Sequence, residues 1–149
     1  MELYPAFDVP KIEETPEKNN RQVSSLYFDF EKGDFALDGT GNAKTATPYD
    51  SWVQWCLKTI YTQRWAFMAY DSQTGIELEE AFAQSKRELQ ESYIQKTVTE
   101  ALLADPYSRT VRVYNFKFNW GVDSLDLEVT VSGIWDKDAV LNAKLKNAR

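Results

Sequence analysis

Few residue types in this chain could carry chemistry. It has no histidine and one cysteine, with 23 Asp and Glu against 17 Lys and Arg. Without His there is no Ser-His-Asp triad, no Cys-His pair and no His-based metal site. A catalyst built here would run on carboxylates, Tyr, Lys or Arg. The carboxylates gather at Glu77, Glu79, Glu80, Glu88 and Glu91. A glycoside hydrolase needs two carboxyl groups facing each other across a cleft, one of them held protonated by apolar surroundings. These five are interleaved with Lys86 and Arg87, the pattern of the solvated face of amphipathic helices. Asp29, Asp34 and Asp38 lack the spacing of an EF-hand, and there is no glycine-rich phosphate loop. Cys56 sits inside an apolar stripe and reads as a buried structural thiol. No catalytic residue, metal ligand or cofactor is expected.

Arg109 is the more informative charge. It follows Asp105-Pro106 at the end of a helical pattern. An Arg there either engages helix-end carbonyls or clamps a carboxylate with two prongs; the plain alternative is an exposed arginine at a turn.

The elements that position these residues follow from length and pattern. At 149 residues the chain is one domain, large enough to bury about 70% of the surface its unfolded form exposes. A net charge of −6 argues against nucleic acid and against anionic membranes as partners. There is no apolar run long enough to span a membrane, and Met1 to Pro5 lacks the features of a signal peptide. A single cysteine cannot form an internal disulfide, which fits folding in a reducing cytoplasm.

Residues 1–22 carry Pro5, Pro10 and Pro16 and read as an extended lead segment. Leu26 to Phe30 alternates, Glu31 to Asp34 turns, and Phe35 to Leu37 returns, which makes an N-terminal hairpin. Thr47-Pro48-Tyr49-Asp50 is a helix start, followed by Trp52, Val53, Cys56, Leu57 and Ile60 at helical spacing. Arg64 to Tyr70 is expected as a strand or extended connector, and Ile76 to Ser85 as a short helix. Leu89 to Leu103 is the stronger helix, ended by Pro106. From Thr110 the period becomes two. Tyr114, Phe116, Phe118 and Trp120 share one face while Val111 and Val113 share the other, so either both faces are covered or a bulge shifts the phase. After a turn at Gly121 to Ser124, Leu125, Leu127, Val129 and Val131 alternate with polar residues. Residues 136–149 form a basic tail, expected as a short helix or as an arm that orders on a partner. The fold class is therefore α+β: an N-terminal hairpin, two to three helices and a long C-terminal hairpin in a mixed or antiparallel sheet.

Several stretches, in order, resemble the sheath-initiator (baseplate wedge) family of contractile phage tails and tailocins, particularly its PBSX-like prophage branch. They are Tyr27 to Phe35; Gln54-Trp55 with Lys58, Thr62 and Arg64; Tyr70 with Gly75 to Leu78; and Glu100 to Leu103 with Asp105-Pro106-Tyr107. The resemblance covers roughly residues 25 to 135. The wider family places a Glu-Pro-Arg triplet after the helix. Asp105 and Pro106 match its first two positions, and Arg109 offers the third only after a two-residue offset.

The resemblance implies a domain at 23–135, six copies per baseplate, and contacts with sheath protein, baseplate wedge proteins and a tube or tube-initiator protein. It implies a place in the virion or tailocin particle, assembled in the bacterial cytoplasm. Some members were catalogued as lysozyme-like, which makes a carboxylate-dependent muramidase the competing expectation. The structural brace is expected at Asp105, Pro106, Arg109 and Arg64. The partner-binding strand is expected at Leu125, Leu127, Val129, Val131 and Ser132, through an exposed edge of the 110–135 hairpin.

Overall fold

The computed structural model describes residues 25–146. The extended lead segment expected at 1–22 lies outside the described residues, as do residues 147–149.

The first helix forms where its caps place it. The Thr47 hydroxyl accepts the Asp50 N–H at 3.2 Å and Pro48 occupies the first turn, so α1 runs Pro48–Tyr61. It buries Trp52, Cys56 and Ile60. A five-residue helix, α2 (Leu78–Phe82), is shorter than expected. The backbone before it is already engaged: the Ile76 N–H donates to the Thr62 carbonyl and the Glu77 N–H to the Thr97 hydroxyl. The helix α3 (Arg87–Leu103) buries Ile94, Thr97, Val98, Ala101 and Leu102 and stops before Pro106.

Before α1, the hairpin is reduced to two-residue strands, β1 (Phe28–Asp29) and β2 (Asp34–Phe35), extended by bridges Leu26↔Thr45 and Leu37↔Ala43. It is tied to α1 by Gln54, which accepts the Phe28 N–H at 2.6 Å and donates to the Leu26 carbonyl at 3.1 Å, and by Phe30 stacking on Tyr61.

Arg64 to Tyr70 is not a strand. One parallel bridge, Gln63↔Ile76, is all the pairing there. Trp65 at φ +62 then breaks the extended backbone, and Trp65, Phe67, Met68 and Tyr70 stay exposed in a turn-rich loop. Gly75 closes the loop. It sits at φ +92, with the space of a Cβ only 2.5 Å from the Thr62 carbonyl oxygen, so no larger residue fits.

The second half is one antiparallel sheet in the order β3 (Thr110–Trp120), β4 (Ser124–Gly133), β5 (Ala139–Lys146). The phase conflict in β3 is resolved by a bulge. Register shifts between Tyr114 and Lys117, around Asn115 at φ +57. Val113 thereby joins Phe116, Phe118 and Trp120 against the core, while Tyr114 moves to the wet face.

β5 corrects the expectation of a helical or loose tail. Ala139, Leu141, Ala143 and Leu145 are buried and alternate with exposed Val140, Asn142, Lys144 and Lys146. The sheet lays Leu125, Leu127, Val129, Val131 and the β5 apolar residues over α1 and α3, forming a two-layer core.

Candidate functional site: a braced corner and the edges of a sheet

Asp105 and Arg109 form a buried two-pronged ion pair. The Arg109 Nε donates to Asp105 Oδ2 at 2.8 Å and Nη2 to Oδ1 at 3.1 Å. The side chains are 3% and 0% exposed. The same carboxylate accepts the backbone N–H of Arg109 at 3.0 Å and of Tyr107 at 3.2 Å. Four donors on one carboxylate compensate its removal from water. The guanidinium also lies over the Tyr107 and Trp55 rings, at 5.1 and 5.7 Å from their centroids. Pro106 is exposed; its contribution is to end α3.

The corner ties four elements. The Arg109 carbonyl accepts the Ile134 N–H at 3.0 Å, joining the start of β3 to the end of β4. The Trp52 indole N–H donates to the Thr110 hydroxyl at 3.0 Å, adding α1. Gly133 is required, because a Cβ there would lie 2.8 Å from the Trp52 ring. Ser108 at φ +52 supplies the reversal between α3 and β3. Burial pushes the Cys56 thiol far up, with the Asp105 charge adding to it, so the thiol is not a nucleophile.

Arg64 belongs to a different joint. Its Nε donates to the Gly75 carbonyl at 3.1 Å, and its Nη1 lies 3.7 Å from Glu77 and 3.8 Å from Glu100. It locks the 63–76 loop to α3 rather than bracing the 105–109 corner.

The candidate catalytic carboxylates have partners of their own. Glu77 accepts the Tyr93 hydroxyl at 2.8 Å and faces Arg64, Glu80 accepts the Gln63 amide at 3.3 Å, and Glu91 accepts the Trp120 indole N–H at 2.8 Å. Glu79 and Glu88 are exposed. Each of the five is thus held by a partner of its own or exposed.

The expected partner-binding residues lie in the middle of the sheet. Leu125, Leu127, Val129 and Val131 are buried, and Ser132 pairs with Arg112. Both edges of β4 are taken, by β3 on one side and β5 on the other. Of the two edges of the 110–135 hairpin, the one on the β4 side is filled by the chain's own β5. The outer edges of β3 and β5 are the ones left unpaired among the described residues.

A feature sequence reasoning missed is an aromatic cleft of ≈ 710 Å³ lined by Leu26, Phe28, Phe30, Phe35, Trp55 and Tyr107, with Arg109 at its floor. The cluster of Phe in 28–35 was its one sequence signal. None of its lining residues belongs to the three-stranded sheet.

No curated protein matches the chain. A family model does, that of the contractile injection system sheath initiator, and it covers residues 24–136. That span takes in the hairpin, all three helices, the braced corner and the β3–β4 hairpin, leaving β5 beyond it. The chain therefore belongs to the contractile injection system sheath initiator family, as a structural component of such a system.

Proposed function

We propose that this protein seeds the sheath of a contractile tail or tailocin. Its three-stranded sheet accepts strands from the first sheath ring, and the rest of the domain links that ring to the baseplate wedge. Six copies surround the tube or tube-initiator protein, and the particle assembles in the bacterial cytoplasm. The observation that carries this reading is a three-stranded sheet whose outer edges are unpaired among the described residues, set on a braced corner, in a family of sheath initiators. Backbone groups at a sheet edge give strength to strand addition, and alternating side chains fix its register. The aromatic cleft, separate from the sheet, is a surface available to the wedge. A role as a muramidase finds no support in the scattered carboxylates.

Two assays separate the readings. Purified protein added to purified sheath protein should shorten the lag of sheath polymerisation. An unchanged lag would count against seeding. Incubation with peptidoglycan should release no fragments; cleavage lost on Glu77→Gln or Glu80→Gln would favour the muramidase.

A further inference from the structure

The aromatic cleft has an open apolar wall. Leu26, Phe30 and Phe35 on it are 48, 40 and 49% exposed. Phe28 meets Phe30 and Phe35 edge-on, at 5.1 and 5.3 Å between ring centroids, so the rings are already gathered into one cluster. Large apolar side chains left this exposed on one concave surface mark an interaction site.

The charge of the cleft is one-sided. Among the described residues no carboxylate lines it. Its cations are Lys58 and Arg109, and Arg109 is held by Asp105. Lys58 makes no ion pair among the described residues; its Nζ lies 5.4 Å from the centroid of the Tyr70 ring. The surface therefore fits an apolar, partly aromatic segment that carries an acid.

The chain itself supplies such a segment. Ser25, where the described residues begin, stands on the wall of the cleft. Ahead of it, Leu3, Tyr4, Phe7, Val9 and Ile12 form an apolar block, with Asp8 between Phe7 and Val9. Pro5 and Pro10 each fix a φ angle in the block. Proline-bearing segments suit aromatic-lined grooves, because less freedom is lost on docking. Residues 13–24, between the block and the cleft, are polar apart from Pro16 and Val23. Twelve residues span at most about 40 Å, ample for a cleft whose wall starts at Ser25. Because block and cleft share one chain, they meet at an effective concentration on the order of millimolar, well above that of a second chain in dilute solution. The block also lies outside the family match, which begins at residue 24.

We propose that the aromatic cleft is the docking site of the chain's own residues 3–12, with their apolar side chains among the rings and Asp8 beside Lys58. The docking covers the exposed rings and so keeps free copies of the chain from associating through them. In the reading above, where this surface meets the wedge, the wedge displaces the segment; the docking itself does not depend on that reading.

Nuclear magnetic resonance of the full chain tests this. Cys56 is buried, so a nitroxide attaches at Ala6→Cys alone. In a dilute sample the amide signals of Leu26, Phe30 and Phe35 and the indole signal of Trp55 should lose intensity to the label. Val122, at the far tip of the β3–β4 hairpin, should keep its intensity. Tyr4→Ser with Phe7→Ser in the labelled chain should restore the cleft signals, and both substitutions lie outside the folded core described above. Lys58→Glu should restore them in part, and adding Asp8→Lys to it should bring the loss back. Nitroxide-labelled chains without nitrogen-15, mixed with unlabelled nitrogen-15 chains, should cause no loss. Cleft signals of full intensity in the labelled chain overturn the proposal, as does a loss that survives Tyr4→Ser with Phe7→Ser. A loss at the cleft in the mixed sample makes a second copy the occupant and overturns it too.

Discussion

Arg109 shows how far single residues could be understood before their surroundings. Its distance from Asp105 along the chain allowed a clamp or an exposed turn arginine, and what decided between them was Trp55, from a helix some fifty residues earlier, closing over the pair. Removing one partner of a buried ion pair leaves an uncompensated charge. Arg109→Ala should lower unfolding stability by about 3–5 kcal/mol in a urea titration, whereas loss of an exposed turn arginine would leave it unchanged. Asp138 gives a pH test. The Tyr114 hydroxyl, then Ser132, hold its carboxyl below the usual 3.8. A depressed acid adds stability that is complete above its unfolded pKa and is lost as pH falls through the folded one. Asp138→Asn should therefore reduce the loss of thermal stability between pH 4 and lower values relative to wild type, since it has no proton to take up. An unchanged acid limb would show that the contact does not matter in solution. The partners of Arg64, Glu77 and Glu100, come from separate elements, and spacing alone could not join them.

At the scale of elements, local chemistry was read well where caps and breakers act. Thr47 and Pro48 start α1, and Pro106 follows the end of α3. The bulge in β3 was visible as a slip in the period between Val113 and Tyr114. Two elements were misread for physical reasons. Arg64 to Tyr70 alternates like a strand, but it lacks a neighbour to pair with beyond the Gln63↔Ile76 bridge. β5 was hidden because Leu141 and Leu145 also fit a helical period, and an eight-residue window does not separate the two patterns. Its basic residues suggested a solvated tail, whereas they are the wet face of a strand. A chain ending after Trp135 would lose the four apolar side chains that β5 buries, including Leu141 and Leu145. At about 1.5–3 kcal/mol for each leucine, and with the β4 edge uncovered, it should lose its cooperative thermal transition or aggregate. A sharp transition at the wild-type temperature would mean that β5 is dispensable to the fold.

The described residues form a two-layer α+β domain. The corner and the 134–138 connector tie the sheet to α1 and α3, and an edge that is already ordered costs a binding strand less than one that must be ordered on contact. The fold class was legible because periodicity and punctuation agreed along most of the chain. Which strands lie at the edges of the sheet was not, because it depends on β5 pairing with β4. The central claim is that the protein seeds a sheath. Electron microscopy of particles assembled without it, and again with the full chain restored, tests that most directly. Baseplates and tubes without an extended sheath, with sheaths returning on restoration, are the predicted result; sheaths of normal length in its absence would contradict the account.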